Sequence, residues 1–301
     1  MLESVPEIIQ AIVLGIVQGA TEFIPVSSSG HLVLVPFVLG WEKPSLAFDV
    51  ALHAGTAGAI VVYFRRDLLA MAGAIVRPDG SPESATYRRL VVYLALATVP
   101  AGLIGVAFRS TFEGAFATPR LASALLLVTA AMLVGGERLR ARRIARTPAS
   151  APVPASRPAM TTSVGADPED PAGTTLDRVD LRQAMAIGLG QALALLPGIS
   201  RSGSTITTGL AMGLTRAAAT RFSFLLALPV LVGAAVVSVP DLAEPGRFSG
   251  ADIVAGVLAA FVSGYLAVAF LVRLVARAGL TGFALYLVAA SGATMALTFV
   301  R

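Results

Sequence analysis

The chain has no cysteine, and among its 301 residues Lys43 is the only lysine. The first absence excludes a disulfide framework, a thiolate metal site and a cysteine nucleophile. The second leaves arginine to carry nearly all of the positive charge, and the formal surplus is only +5. Charge is scarce altogether, at 14% of residues, where a soluble globular domain carries roughly 25%. Histidine occurs twice, as His31 and His53, so imidazole chemistry has two carriers at most. Hydrocarbon fills the space left: 55% of residues are hydrophobic and mean hydropathy is +0.78. That composition belongs to an integral membrane protein, with room for about six to ten apolar segments of about 20 residues each. In this class surplus arginine marks cytoplasmic loops, and no nucleic-acid partner is expected. The N-terminus carries Glu3 and Glu7 and no basic n-region, so the first apolar run is expected to stay in the mature protein.

Arginine placement orients the crossings. Arg65-Arg66, Arg77 and Arg88-Arg89 make one basic loop and 138–146 another, both expected to be cytoplasmic. Crossings then follow at about 47–64, 90–108 and 120–136 in the first half. The second half has them at about 222–239, 251–272 and 280–300, with opposite orientation. Each half begins with a proline-broken pair of short apolar runs, at about 5–40 and 183–214. The expected fold is therefore all-α: an inverted-topology repeat with about six transmembrane helices plus two re-entrant, broken pairs. The halves are 1–136 and 181–301. The stretch between them, 137–180, is basic and then rich in Pro, Ala, Thr and Asp; it reads as a disordered cytoplasmic linker.

The two broken segments match each other. One runs Gln18-Gly-Ala-Thr-Glu22-Phe-Ile-Pro25-Val-Ser27-Ser28-Ser29-Gly30-His31. The other runs Gln191-Ala-Leu-Ala-Leu-Leu-Pro197-Gly198-Ile-Ser200-Arg201-Ser202-Gly203-Ser204-Thr205. Aligned without a gap, Gln18 meets Gln191, Ser27 meets Ser200, Ser29 meets Ser202 and Gly30 meets Gly203. Polar clusters are costly in lipid and mark function. A matched pair points to one central site.

In the first segment Gln18 and Glu22, four apart, share a helix face. Pro25 ends that helix, and a helix restarting in the serine turn would aim free N–H groups at an anion. His31, three residues after Ser28, is placed to be its base or to hold it. A hydroxyl, an imidazole and a carboxylate beside an anion site suggest hydrolytic phosphoryl or acyl transfer; a capping turn with a structural glutamate is the bland alternative. The second segment shifts the balance, because Arg201 in an apolar run needs an anion and its fork suits phosphate. Ser200, Ser202, Ser204, Thr205 and the backbone at Gly203 would complete a cradle. The competing reading pairs Arg201 with Glu22 as an internal salt bridge, and both hold if substrate displaces the pair. His53, four residues after Asp49, reads more readily as a packed histidine than as a ligand, and Tyr63-Phe64 as an interface anchor.

Together these segments resemble the undecaprenyl-diphosphate phosphatase family of bacteria. The likeness continues through Phe48-Asp-Val-Ala-Leu-His53, Tyr63-Phe-Arg-Arg-Asp67 and Phe222-Ser-Phe-Leu-Leu-Ala227, and it misses mainly 137–180. The resemblance implies a multi-pass enzyme of the bacterial cell membrane that removes the terminal phosphate of a polyprenyl diphosphate. This recycles the carrier for cell-wall synthesis and confers bacitracin resistance, with the site facing the outer side. It also implies a divalent cation, Mg²⁺ or Ca²⁺, with Glu22 as the metal ligand and Asp49 and Glu42 as conceivable helpers. Carried over by position, the catalytic residues are Glu22, Ser28 and His31. The diphosphate falls to Arg201, with Ser27, Ser29, Ser200, Ser202, Gly203, Thr205 and Gln18 around it. Ser28 as nucleophile with His31 as base comes first, and direct attack by His31 second. Gln18 departs from the pattern, since many members have glutamate there and an amide is neither a base nor a charged ligand. A homodimer is left open. The runner-up function is a flippase of polyprenyl phosphate, in which the same residues would only bind.

Overall fold

The computed structural model describes residues 5–115, 118–146, 170, 173–238, 246–275 and 278–300. In chain order the helices are α1 (Glu7–Phe23), α2 (Ser28–Leu39), α3 (Leu46–Tyr63), α4 (Arg65–Val76), α5 (Pro82–Ala107), α6 (Arg109–Ala115) and α7 (Pro119–Arg146). The second half supplies α8 (Leu181–Ala192), α9 (Arg201–Ala211), α10 (Arg216–Val237), α11 (Gly250–Val275) and α12 (Thr281–Val300). Six of these, α3, α5, α7, α10, α11 and α12, are long and apolar enough to cross a membrane. An all-α multi-pass membrane protein is the result, and the six crossings fall where the apolar runs placed them. Two of them start earlier than the hydropathy suggested. Ser81 caps α5 by accepting from Ser84 N at 3.1 Å, and Thr215 caps α10 by accepting from Ala218 N at 3.1 Å. Both caps draw polar first turns into the helix.

The pairs α1–α2 and α8–α9 break for parallel reasons. Ile24, just before Pro25, is extended at ψ 135°, and so is Leu196, before Pro197, at ψ 138°. A residue preceding proline is driven out of the helical region. Each chain then restarts on a serine cap: Ser27 Oγ accepts from Gly30 N at 3.2 Å, and Ser200 Oγ from Gly203 N at 3.0 Å. At 1.5 Å per residue, α2 and α9 are each about half the hydrocarbon thickness. Gly198 sits at φ +96°, and a Cβ there would stand 2.4 Å from the carbonyl oxygen of Ala122 on α7.

Packing exchanges the halves. Helix α1 lies against α11 of the second half, and α8 lies against α5 of the first; α7 and α12, the last helices of each half, pack on one another. The two crossings use the same device. Gly15 on α1 and Gly188 on α8 are equivalent in the ungapped alignment. A Cβ on Gly15 would lie 2.2 Å from Gly256 O, and one on Gly188 would lie 2.4 Å from Ala97 O. Small residues at such crossings let backbones meet where no solvent drives association. The Gly188→Ala variant is expected to lose about 1–3 kcal/mol, because the opposing atom is backbone and cannot move aside. Gly102→Ala, with open space around its Cβ, is the silent control. Thermal unfolding of both in detergent checks this.

The boundary at 136 needs correction. Residues 137–146 are the last turns of α7, and 173–180 are ordered on the bundle. Glu137, Arg140 and Arg143 find partners inside the fold, while Arg138, Arg142 and Arg146 are exposed. Glu137 accepts from Arg216 Nη2 at 2.7 Å and from Leu280 N at 3.0 Å. Arg140 Nε lies 3.7 Å from Asp170 Oδ2, which also binds Arg143. Thr174 pairs with the α9–α10 turn, donating to Gly213 O at 2.9 Å and accepting from Thr215 N at 3.0 Å. An Asp180–Gln183 capping box then opens α8. The rest of the expected linker, 147–169 and 171–172, lies outside the described residues.

Candidate functional site

The two serine turns meet. Ser202 Oγ donates to Ile24 O at 3.3 Å, and a Cβ on Gly30 would reach Gly198 Cα at 3.0 Å. This brings the start of α2 beside the start of α9, so two helix N-termini converge with their positive ends and first-turn N–H groups. Thr129 on α7 fixes the second turn: its Oγ1 donates to Gly198 O at 2.8 Å and accepts from Ser200 N at 3.0 Å.

Glu22, at the end of α1, is the hub. Its Oε2 accepts from Ser28 Oγ at 2.5 Å and from Gln18 Nε2 at 3.1 Å, while its Oε1 accepts from Arg201 Nη2 at 3.0 Å. The carboxylate side chain is 4% exposed and the arginine 12%. A charge so withdrawn from water persists only with partners of this kind. The salt bridge weighed against a phosphate grip is therefore present. Arg201 also donates from Nη1 to Ser223 O on α10 at 3.2 Å. Ser223 Oγ lies 2.6 Å from Thr205 Oγ1, which also donates to Arg201 O at 2.8 Å. Thr205 thus buttresses the helix start behind Arg201.

The remaining hydroxyls sort into caps and linkers. Ser27 Oγ is 3.3 Å from Ser29 Oγ, and Ser200 Oγ is 3.1 Å from Ser202 Oγ. Ser204 donates back to Ser200 O at 2.8 Å and belongs to the helix. Ser27 holds φ +72°, the only non-glycine described with a positive φ. Such strain survives where the surroundings enforce it, and it concentrates at functional turns.

His31 is placed differently from the base expected for Ser28. Its Nδ1 lies 2.7 Å from Ser27 O and its Nε2 2.7 Å from Tyr286 OH, with the two rings stacked 5.7 Å apart. A carbonyl only accepts, so Nδ1 carries the hydrogen and Nε2 takes the tyrosine hydroxyl hydrogen in the neutral ring. Both nitrogens are committed to holding the strained turn. The base within reach of Ser28 is Glu22.

The second histidine supplies what sequence reasoning set aside. His53 Nδ1 is 2.7 Å from Asp49 O and must donate to it. Its Nε2 then faces Glu22 Oε2 at 3.7 Å, a separation that makes an ion pair when the ring is protonated. Tyr286 was missed as well, since nothing local marks a tyrosine 255 residues from its partner. For His53 the signal was its being one of two histidines, on a crossing adjacent to the first broken pair.

Some buried amides lack a protein partner: Gln18 Oε1, and both amide atoms of Gln191, its equivalent on α8. An orphaned oxygen beside a charged hub, as at Gln18, is what a ligand completes. This bears on the implied cation. Among the described residues no group of three or more His, Asp or Glu converges to hold an ion. Asp49 is half-buried with its Oδ1 enclosed and unpartnered, and Glu42, in the α2–α3 loop, offers its carbonyl to Arg247 at 3.0 Å. The donor set that does fit a hard cation is Glu22 with the neutral Gln18 Oε1, completed by substrate oxygens.

A family model described as bacitracin resistance protein BacA matches residues 11–293. A protein named undecaprenyl-diphosphatase from Geobacter sulfurreducens is 40% identical over 297 residues, covering 98% of this chain and 100% of that one. One of the same name from Methanobrevibacter smithii is 39% identical over 290 residues, covering 93% and 94%. Another from Rubrobacter xylanophilus is 40% identical over 304 residues, covering 97% and 98%.

Proposed function

The chain belongs to the bacitracin resistance protein BacA family, and from that membership we propose how its paired turns carry out the reaction. The protein is an undecaprenyl-diphosphatase: water and undecaprenyl diphosphate give undecaprenyl phosphate and inorganic phosphate. This restores the lipid carrier for cell-wall synthesis and removes the form that bacitracin captures. The observation that carries the reading is the 2.5 Å contact between Ser28 Oγ and Glu22 Oε2 at the mouth of two helix N-termini.

Ser28 Oγ attacks the terminal phosphorus as Glu22 Oε2 takes its proton. The bond from that phosphorus to the bridging oxygen breaks, and undecaprenyl phosphate leaves with the electron pair. Water then attacks the phosphoserine, its proton passing to a phosphoryl oxygen, while Glu22 returns the proton it took to Ser28 Oγ as the bond to phosphorus breaks and inorganic phosphate departs. Arg201 exchanges its hold on Glu22 for phosphate oxygens, and the first-turn N–H groups of α2 and α9 face the developing charge. Ser29 borders the same opening, and Ser202, fully buried, ties the start of α9 to Ile24 O; Ser27, Ser200 and the Gly203 N–H shape the two caps. A divalent cation held by Glu22 and Gln18 Oε1 with the substrate would neutralise phosphate charge. His31 is a positioning residue here, fixing the Ser27 carbonyl and so the direction of Ser28. Placement in the bacterial cell membrane with the site opening outward rests on the arginine-rich ends of α3, α5 and α7 lying on the cytoplasmic side.

The test is phosphate release from undecaprenyl diphosphate by purified protein in detergent with Mg²⁺ or Ca²⁺. Binding of the lipid without release would sink the reading. His53→Gln is expected to lower kcat about 10–100-fold with KM little changed, because the imidazole facing Glu22 is lost while the fold is kept. An unchanged kcat would make His53 a packing residue.

A further inference from the structure

A cavity of about 320 Å³ opens at the far end of α3, between its last residue Tyr63, the start of α4, the first turns of α10 and the end of α11. It is separate from the diphosphate site. Phe23, next to Glu22, packs edge-on against Phe224 at 5.4 Å, and Phe224 packs against Phe64 at 6.3 Å. Phe64 is in turn a wall of the cavity, so three phenylalanine rings stand between the two.

The charge of the cavity is uneven. Arg65, Arg66 and Arg221 line it against one aspartate, Asp67, a surplus of two positive charges. Asp67 is already engaged: Oδ1 accepts from Arg221 Nη2 at 2.8 Å, and both are buried. The Arg221 guanidinium also stands 5.9 Å over the Phe64 ring. Arg65 and Arg66 are exposed at the rim, and Arg273, in the last turn of α11, lies within electrostatic reach of Tyr63. The rim is thus cationic over a neutralised floor, with Phe64 and Val272 as an apolar wall. Because Tyr63 ends a spanning helix, this lies at the depth where lipid phosphates sit, and basic interhelical pockets there take anionic head groups. Guanidinium forks match phosphate oxygens in number and plane.

We propose that this cavity is a second phosphate-binding site, taking the phosphate group of an anionic membrane lipid. The experiment uses the full chain in nanodiscs containing equal phosphatidylglycerol and phosphatidylcholine, with retained lipid read by native mass spectrometry. Wild type is expected to keep phosphatidylglycerol in preference. The double variant Arg65→Gln/Arg66→Gln should lose roughly 25-fold of that preference, with phosphate release unchanged as evidence of folding. Equal retention of the two lipids by wild type, or wild-type preference in the variant, would overturn the proposal. So would displacement of phosphatidylglycerol by millimolar inorganic phosphate, which would assign the cavity to a soluble anion.

Discussion

Arg201→Ala is expected to lower phosphate release by about 10³-fold, the largest loss expected from a residue that does not itself react. The substitution removes the guanidinium that faces Glu22 at the opening between the turns, and with it a counter-charge to the phosphoryl group in flight. It also strips Glu22 Oε1 of its donor at 3.0 Å, leaving a buried carboxylate under-compensated, which costs stability of about 3–5 kcal/mol. The two effects separate in Arg201→Lys. Lysine keeps the charge near Glu22 and should preserve most of the thermal stability. It offers a point charge in place of a planar fork, so turnover should stay roughly 10–100-fold down. Release within tenfold of wild type by a folded Arg201→Ala protein would move the anion site elsewhere.

Ser28→Ala is expected to cost at least about a thousandfold in kcat, with substrate binding largely kept through Arg201 and the two helix starts. Ser27→Ala makes the informative contrast. Ser27 Oγ caps Gly30 N and its backbone holds φ +72°, so its loss should act mainly on the turn, by about 1 kcal/mol, and less on chemistry. Rapid quenching with substrate labelled in the terminal phosphate should yield a labelled peptide containing Ser28 in wild type and none in Ser28→Ala. The opposite ranking of the two variants would shift the nucleophile by one position. Label on His31 would show that its two hydrogen bonds, to Ser27 O and Tyr286 OH, break during turnover.

Much of this was legible along the chain because the responsible forces act locally. Apolar runs of spanning length place the six crossings, while polar turns extend α5 and α10 at their starts and α7 at its end. Pro25 and Pro197 break the two short pairs, and Ser27 and Ser200 cap the restarts, so the repeat could be read from spacing alone. Glu22, Ser28 and Arg201 stood out as polar groups in hydrocarbon. Where the reading erred, the cause lay in partners remote in sequence. The arginines of 137–146 have the composition of a linker, yet Glu137 meets Arg216 and Arg143 meets Asp170, which holds them in helix. His31 sits near Ser28 in sequence, yet Tyr286 from α12 and the carbonyl of Ser27 turn its ring to another task.

The sequence by itself determined the membrane class, the two proline breaks and the serine caps, since these are properties of neighbouring residues. Only the tertiary structure decided which group faces which. Glu22, Arg201 and His53 come from α1, α9 and α3, and they meet because the halves exchange packing partners at the close glycine crossings. That convergence puts Ser28 Oγ against Glu22 Oε2, while the His31 ring is held by Ser27 O and Tyr286 OH.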